Sequence, residues 1–172
     1  MVFSASKARA FLPLFAGVFL SDCASKRVAV EQLAPAYVPH EVVGDVLRFT
    51  LAYNQRAAMG LSVGAASRWI LAGLAAAMLI GVLVWLVRTR NESPVVFSAI
   101  ALVAAGALGN LVDRLRWDRG VVDFIDIGFG ATRFWIFNIA DMAITIGAVL
   151  LWLSMRQAPA DGEPQPAEVQ SP

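Results

Sequence analysis

Asp22, Asp113, Asp123 and Asp141 stand within or beside runs of apolar residues, where a carboxylate is costly, and each has polar company nearby. Lys26 follows Asp22 at a spacing of four, which puts both on one face of a helix. Asn110 and Arg114 flank Asp113, and Asn138 precedes Asp141 by three residues. The pair best suited to chemistry is Asp123 with Asp141. Two carboxylates held close together cannot both ionise cheaply, so they share a proton near neutral pH. The ionised member then takes a proton from water, and the protonated member donates to a carbonyl oxygen. Such a reaction needs neither a metal nor a nucleophilic side chain. Other chemistries lack their residues. A single cysteine, Cys23, excludes an internal disulfide framework. One cysteine and one histidine, His40, cannot build a His/Cys zinc site, so no metal and no cofactor is expected. His40 reads as a surface residue and Cys23 as a small packed one. A net charge of +1 argues against a nucleic-acid partner.

The elements that position these groups are set by composition. Of the 172 residues, 58% are hydrophobic and 16% charged, too little charge to cover a soluble core. The apolar residues fall into four runs long enough to cross a bilayer as helices, at about 10–30, 69–87, 95–112 and 134–155. Pro94 suits the first helical position of the third. The expected fold is an all-α membrane protein of four transmembrane helices with a small extracytoplasmic β-sheet. Residues 1–156 form one domain, and 157–172, rich in Pro, Ala, Gln and Glu, form a disordered tail.

Four spans place both termini on one side, and Lys7, Arg9, Arg88, Arg90 and Arg156 mark it as cytoplasmic. Arg48, Arg56, Arg68, Arg114, Arg116, Arg119 and Arg133 fall on the outer side, so a raw count opposes the assignment. The first helix and the short middle loop decide it, and the outer arginines, many with acids nearby, are assigned structural or binding roles. In this topology Asp22 with Lys26, Asn110 with Asp113 and Arg114, Asp123, and Asn138 with Asp141 all reach the outer edge of the bilayer. Two outer segments are β-prone, around 46–53 and 121–127, with glycines at 120, 128 and 130 suited to turns. Asp126 reads as a solvated strand residue. Tryptophans 69, 85, 117, 135 and 152 read largely as interface anchors. The basic N-terminus, apolar run and Cys23 mimic a lipoprotein signal peptide, but an Asp directly before the cysteine is wrong for that cleavage box.

The blocks Gly106-Ala-Leu-Gly109-Asn110-Leu-Val-Asp113-Arg114, Val121-Val122-Asp123-Phe124 and Phe137-Asn138-Ile139-Ala140-Asp141 resemble the signature blocks of the lipoprotein signal peptidase (signal peptidase II) family. Asp22, Lys26 and Asn54 also fall where that family has Asp, Lys and Asn. The resemblance covers about residues 11–155. It implies an aspartyl endopeptidase of the bacterial cytoplasmic (inner) membrane. Its substrates are prolipoproteins carrying diacylglycerol on the lipobox cysteine, cut just before that cysteine. Asp123 and Asp141 would be the catalytic dyad, and Asn54, Asn110, Arg114 and Asn138 would hold substrate. Asp22, Lys26 and Asp113 would support the pocket. The family fold is a four-helix bundle with a periplasmic β-cradle, and the cyclic peptide globomycin blocks its members. The partners implied are these substrates, membrane phospholipids and globomycin-type inhibitors, for a protein acting as a monomer.

The chain departs from the family after Asn54. Arg56 and Met59 stand where an Asn-x-Gly-Ala-Ala-Phe pattern has Gly and Phe, which bears on the conformation of that loop. Two other readings compete: a small proton-coupled transporter, which would want acids near the midplane and a repeat between halves, and a relative that binds lipoprotein signals without cutting them.

Overall fold

The computed structural model describes residues 5–55, 67–89 and 93–156. Arg56, Met59, Arg90 and the tail from 157 lie outside them. In chain order the elements are α1 (Ala5–Gln32), β1 (Pro39–Val43), β2 (Leu47–Asn54), α2 (Ser67–Arg88), α3 (Pro94–Arg116), β3 (Val121–Phe129), β4 (Thr132–Arg133) and α4 (Ile139–Arg156). All four helices are long and apolar enough to span a membrane. They turn large apolar side chains outward, among them Leu20, Leu74, Ile80 and Val149. In water such a belt would be untenable, and in a bilayer it is the solvent-facing surface.

α3 is the central helix, with α1, α2 and α4 each packed against it. Small residues let the backbones approach. A Cβ at Gly106 would lie 2.4 Å from the Ala140 carbonyl oxygen, and one at Gly147 would lie 2.7 Å from that of Ala99. Ala140, Ala143 and Gly147 make the buried stripe of α4, a close-packed seam of the kind that joins helices where lipid removes the hydrophobic drive. Gly106→Val is therefore expected to push α3 and α4 apart and lower the melting temperature in detergent, at a cost of about 1–3 kcal/mol of overpacking. An unchanged transition would show that the seam yields easily.

The sheet is antiparallel in the order β1-β2-β3-β4. β2 and β3 match the two β-prone segments, while β1 and β4 were not foreseen. Thr50 and Leu51 together oppose Phe124, between the pairs Phe49–Ile125 and Ala52–Asp123. This bulge resets the strand's alternation and leaves Thr50, Leu51 and Ala52 all buried. Gly120, just before β3, has φ +89°, and a Cβ there would meet the Asn54 carbonyl oxygen at 2.2 Å. Only glycine lets this turn lie against the end of β2. Gly130 also turns with positive φ, but Gly128 lies within β3 against β4 and makes no turn.

Two expectations are corrected. The fourth helix begins at Ile139, not near 134, because the backbone of Phe134 and Phe137 bonds to β3. Asn138 therefore precedes the helix and is not inside it. Asp126 is not solvated. It is buried, accepting from Thr50 Oγ1 at 3.0 Å and from Arg133 Nε at 2.9 Å. The five tryptophans are all exposed at span ends, Trp69, Trp117 and Trp135 at the end bearing the sheet and Trp85 and Trp152 toward the other. His40 is exposed, and Cys23 is half-buried.

Candidate functional site

Where the bundle meets the sheet, α4 starts with a reciprocal cap. Asn138 Oδ1 accepts the backbone N–H of Asp141 at 2.9 Å, and Asp141 Oδ2 accepts that of Asn138 at 3.3 Å. This is a capping box with Asp in the third helical position, and it fixes Asp141 against the helix start. The next free donor of that turn, the N–H of Ala140, is taken from another helix by Asp22 Oδ1 at 2.9 Å. A carboxylate there also complements the positive end of the helix dipole. Asp22 fits because α3 offers glycine opposite: a Cβ at Gly109 would lie 2.4 Å from Asp22 Oδ2.

Lys26 holds this arrangement together. Its ammonium lies 2.8 Å from Asp22 Oδ2, 3.0 Å from Asp113 Oδ2 and 2.9 Å from Asn110 Oδ1. The two carboxylates pair with the charge of this buried lysine, and the Asn110 oxygen accepts a hydrogen bond from it. The bond to Asn110 also orients that amide, so Asn110 Nδ2 points the other way and donates to Asp141 Oδ1 at 2.8 Å. Asp113 Oδ2 accepts the Val122 N–H at 3.2 Å and so ties the end of α3 to β3.

Asp123 arrives from β3, next to that anchor. Its Oδ1 accepts from Asn138 Nδ2 at 2.6 Å and its Oδ2 from Asn54 Nδ2 at 3.1 Å. Asn138 thus touches both carboxylates, Asp123 through its side chain and Asp141 through its backbone. Asn138 Nδ2 also lies 3.2 Å from Asn110 Oδ1 and from the Val122 carbonyl. Arg114 donates to the Asn110 carbonyl at 3.1 Å and stands within electrostatic reach of Asp123, Asp141 and Asp113, with no ion pair to any of them among the described residues. It is not the partner of Asp113, which pairs with Lys26 instead. Eight of the nine expected site residues therefore share one hydrogen-bonded network through their side chains, and Arg114 borders it through the Asn110 carbonyl. The acids gather at one end of the bundle, not at mid-depth, contrary to what a proton path across the membrane would want. Two supporting groups escaped the sequence reading. Arg68 pairs with Asp118 and donates to the carbonyls of Arg114 and Leu115, tying α2 to the end of α3. Arg133, Asp126, Thr50, Asp45 and Arg48 form a second network on the sheet. The acids and arginines were visible in sequence, but their pairing depended on strand register.

Burial pushes the Asp123 carboxyl up to about 7, helped by the negative charge of Asp141, while donors on Asn54 and Asn138 and the charge of Lys26 pull the other way. The sign for stability follows. Between the ordinary value of 3.8 and about 7 the folded protein keeps a proton that the unfolded chain has released, so Asp123 contributes progressively less to stability as pH rises through that window. Asn54→Ala removes a donor that favours the ionised form, so the titration of Asp123 is expected to move to higher pH. A pH–rate profile reads this as a descending alkaline limb shifted upward, and a limb that stays or moves down would contradict the assignment.

Fold and site define the class: a polytopic membrane protein with a buried carboxylate, Asp123, and a half-buried one, Asp141, joined through Asn138 at one end of its helix bundle. The comparisons with known proteins narrow the class. The model of the signal peptidase II family matches residues 14–157. The lipoprotein signal peptidase of Chlorobium luteolum is 38% identical over 144 residues, covering 79% of this chain and 84% of its own. That of Pseudomonas aeruginosa is 38% identical over 149 residues (85% and 87%), and that of Nitratidesulfovibrio vulgaris 36% over 156 (90% and 93%). Two solved structures described as a bacterial membrane enzyme superpose with TM-scores of 0.78 and 0.75, at 27% and 28% identity. The first covers 91% of this chain and 93% of its own, the second 86% and 92%. The chain belongs to the signal peptidase II family, and is a multi-pass bacterial membrane peptidase.

Proposed function

We propose that this protein cleaves diacylglyceryl-modified prolipoproteins just before the lipidated cysteine, using Asp123 and Asp141 as a proton-sharing pair. One observation carries the catalytic assignment: Asn138 hydrogen-bonds both carboxylates, one from the sheet and one from the first turn of a membrane helix. The ionised member takes a proton from water, whose oxygen attacks the scissile carbonyl carbon. The protonated member donates to the carbonyl oxygen. Return of protons to the amide nitrogen then releases the signal peptide and the new amino terminus. Asn54, Asn110, Asn138 and Arg114 border this point and hold the substrate backbone, with Arg114 countering negative charge on the tetrahedral oxygen. Asp22, Lys26 and Asp113 keep these groups in register.

In this reading both termini are cytoplasmic, and the sheet lies on the outer face of the inner membrane. The apolar tip formed by Val43, Val46 and Phe129, all exposed, supports a sheet resting on lipid. The peptidase works as a monomer among membrane phospholipids, residues 1–156 form its single domain, and globomycin-type cyclic peptides occupy the same site. The test is purified protein in detergent with one prolipoprotein, bearing or lacking diacylglycerol on its cysteine. The expected result is a signal peptide ending at the residue before the cysteine, from the lipidated substrate alone, suppressed by globomycin. Folded protein that leaves the lipidated substrate intact would favour a binding role without cleavage.

A further inference from the structure

Among the described residues, Arg116 and Arg119 are the two arginines at the sheet-bearing end that make neither an ion pair nor a hydrogen bond. Arg48 and Arg133 pair with Asp45, Arg133 also pairs with Asp126, and Arg68 pairs with Asp118. Arg114 donates to the Asn110 carbonyl, and Arg27 pairs with Glu31. Arg116 and Arg119 have no ion pair and donate no hydrogen bond among the described residues, and residues 56–66 contain no Asp or Glu to supply one.

Both guanidiniums lie on aromatic rings instead. Arg119 Cζ is 4.3 Å from the centre of the Tyr53 ring and 5.0 Å from that of Trp117, and Arg116 Cζ is 5.6 Å from the same indole. Ring faces offset part of the cost of desolvating a guanidinium but accept no directed N–H bond. Arg119 Nε is buried with no hydrogen-bond partner among the described residues. A buried donor left unmade is unfavourable unless an acceptor arrives. The plainer reading, basic residues bonding the last carbonyls of α3, meets an obstacle: Arg68 of α2 already occupies the carbonyls of Arg114 and Leu115.

We infer that Arg116, Trp117, Arg119 and Tyr53 form a binding site for the phosphate of an anionic phospholipid headgroup, separate from the carboxylate site. The depth fits: Trp117 follows the last residue of the α3 span, where headgroups lie. The surroundings fit a lipid better than a free phosphate, because Leu115 and Trp117 are 54% and 41% exposed and give an acyl chain an apolar surface beside the charges. The site is separate because successive strand residues face opposite sides of the sheet: Asn54 turns to Asp123, whereas Tyr53 packs against the hydrophobic cluster that holds Val122 and Phe124. It also accounts for arginines that ran against the positive-inside count.

Native mass spectrometry of the detergent-purified protein with phosphatidylglycerol and phosphatidylcholine tests the site independently of cleavage. The native protein is expected to prefer phosphatidylglycerol. Arg116→Gln with Arg119→Gln is expected to weaken that binding by about fivefold for each arginine and to leave phosphatidylcholine unaffected. Arg27→Gln, which removes an exposed charge elsewhere at the same end, is expected to leave the preference intact. Equal binding of the two lipids by native protein would overturn the proposal, as would a double variant of native melting temperature that keeps the preference. Displacement of the lipid by equimolar sn-glycerol 3-phosphate would reassign the site to a free phosphate ester and overturn the lipid claim. If the double variant does not fold, Arg119→Gln alone is read, with a fivefold loss expected and no loss counting against the site.

Discussion

Asp123→Asn and Asp141→Asn are each expected to reduce cleavage of a diacylated prolipoprotein by roughly 10³-fold or more, because each removes one half of a shared-proton pair. The two variants should differ in stability. At Asp123, Oδ1 accepts from Asn138 and Oδ2 from Asn54. An amide there keeps its oxygen toward Asn138, so the change is confined to the one contact with Asn54 at the end of β2. At Asp141 the start of a helix is involved as well. Its Oδ1 faces Asn110 Nδ2 and its Oδ2 faces the Asn138 N–H, both donors. Asn110 cannot turn without facing Lys26 with its NH₂. Asp141→Asn must therefore set a donor against a donor and loosen the capping box, at a cost of about 1–3 kcal/mol. Cleavage assays with melting curves in detergent read both effects. Retention of cleavage by either folded variant would remove that residue from the dyad. Equal stability of the two variants would contradict the hydrogen-bond directions given above.

Lys26→Met is expected to be the most damaging change away from the carboxylate pair. The side chain is buried and its ammonium meets Asp22, Asp113 and Asn110. Methionine fills much of the volume but leaves Asp22 and Asp113 buried without their cation. Breaking a buried pair in this way costs about 3–5 kcal/mol. Cleavage should also fall in whatever protein folds, because Asn110 loses the bond that aims its amide at Asp141 and Asp22 loses its partner while capping α4. Lys26→Arg separates charge from shape. It restores the cation, but a planar guanidinium does not match three acceptors arranged around one nitrogen, so it should recover stability only in part. A Lys26→Met protein with native melting temperature and native cleavage would show that the network is dispensable.

Much of this protein was legible in its residues. The apolar runs declared four spans, because a helix that crosses lipid must be apolar for about 20 residues whatever it packs against. Asp22, Lys26, Asn110, Asp113, Asn138 and Asp141 stood out because polar groups in such runs are expensive, and expense marks function. Asp123 is different: it lies on a β-prone segment between spans, where a carboxylate is ordinary, and the block around it is what set it apart from Asp126.

What tertiary structure decided was pairing and direction. The sequence placed Asn138 within a helix, yet contacts between 134–137 and β3 hold that stretch extended and turn Asn138 into the cap that touches both carboxylates. Asp113 and Arg114 are neighbours along the chain, yet helix packing sends Asp113 to Lys26 and Val122. Asp126 reads as solvated in the sequence because period-two alternation cannot show a bulge on the partner strand, and strand register sets it against Thr50 and Arg133. Hydrophobic pattern is a local property and is written along the chain. Which oxygen meets which nitrogen depends on several elements meeting at once, and that information exists only after they have packed.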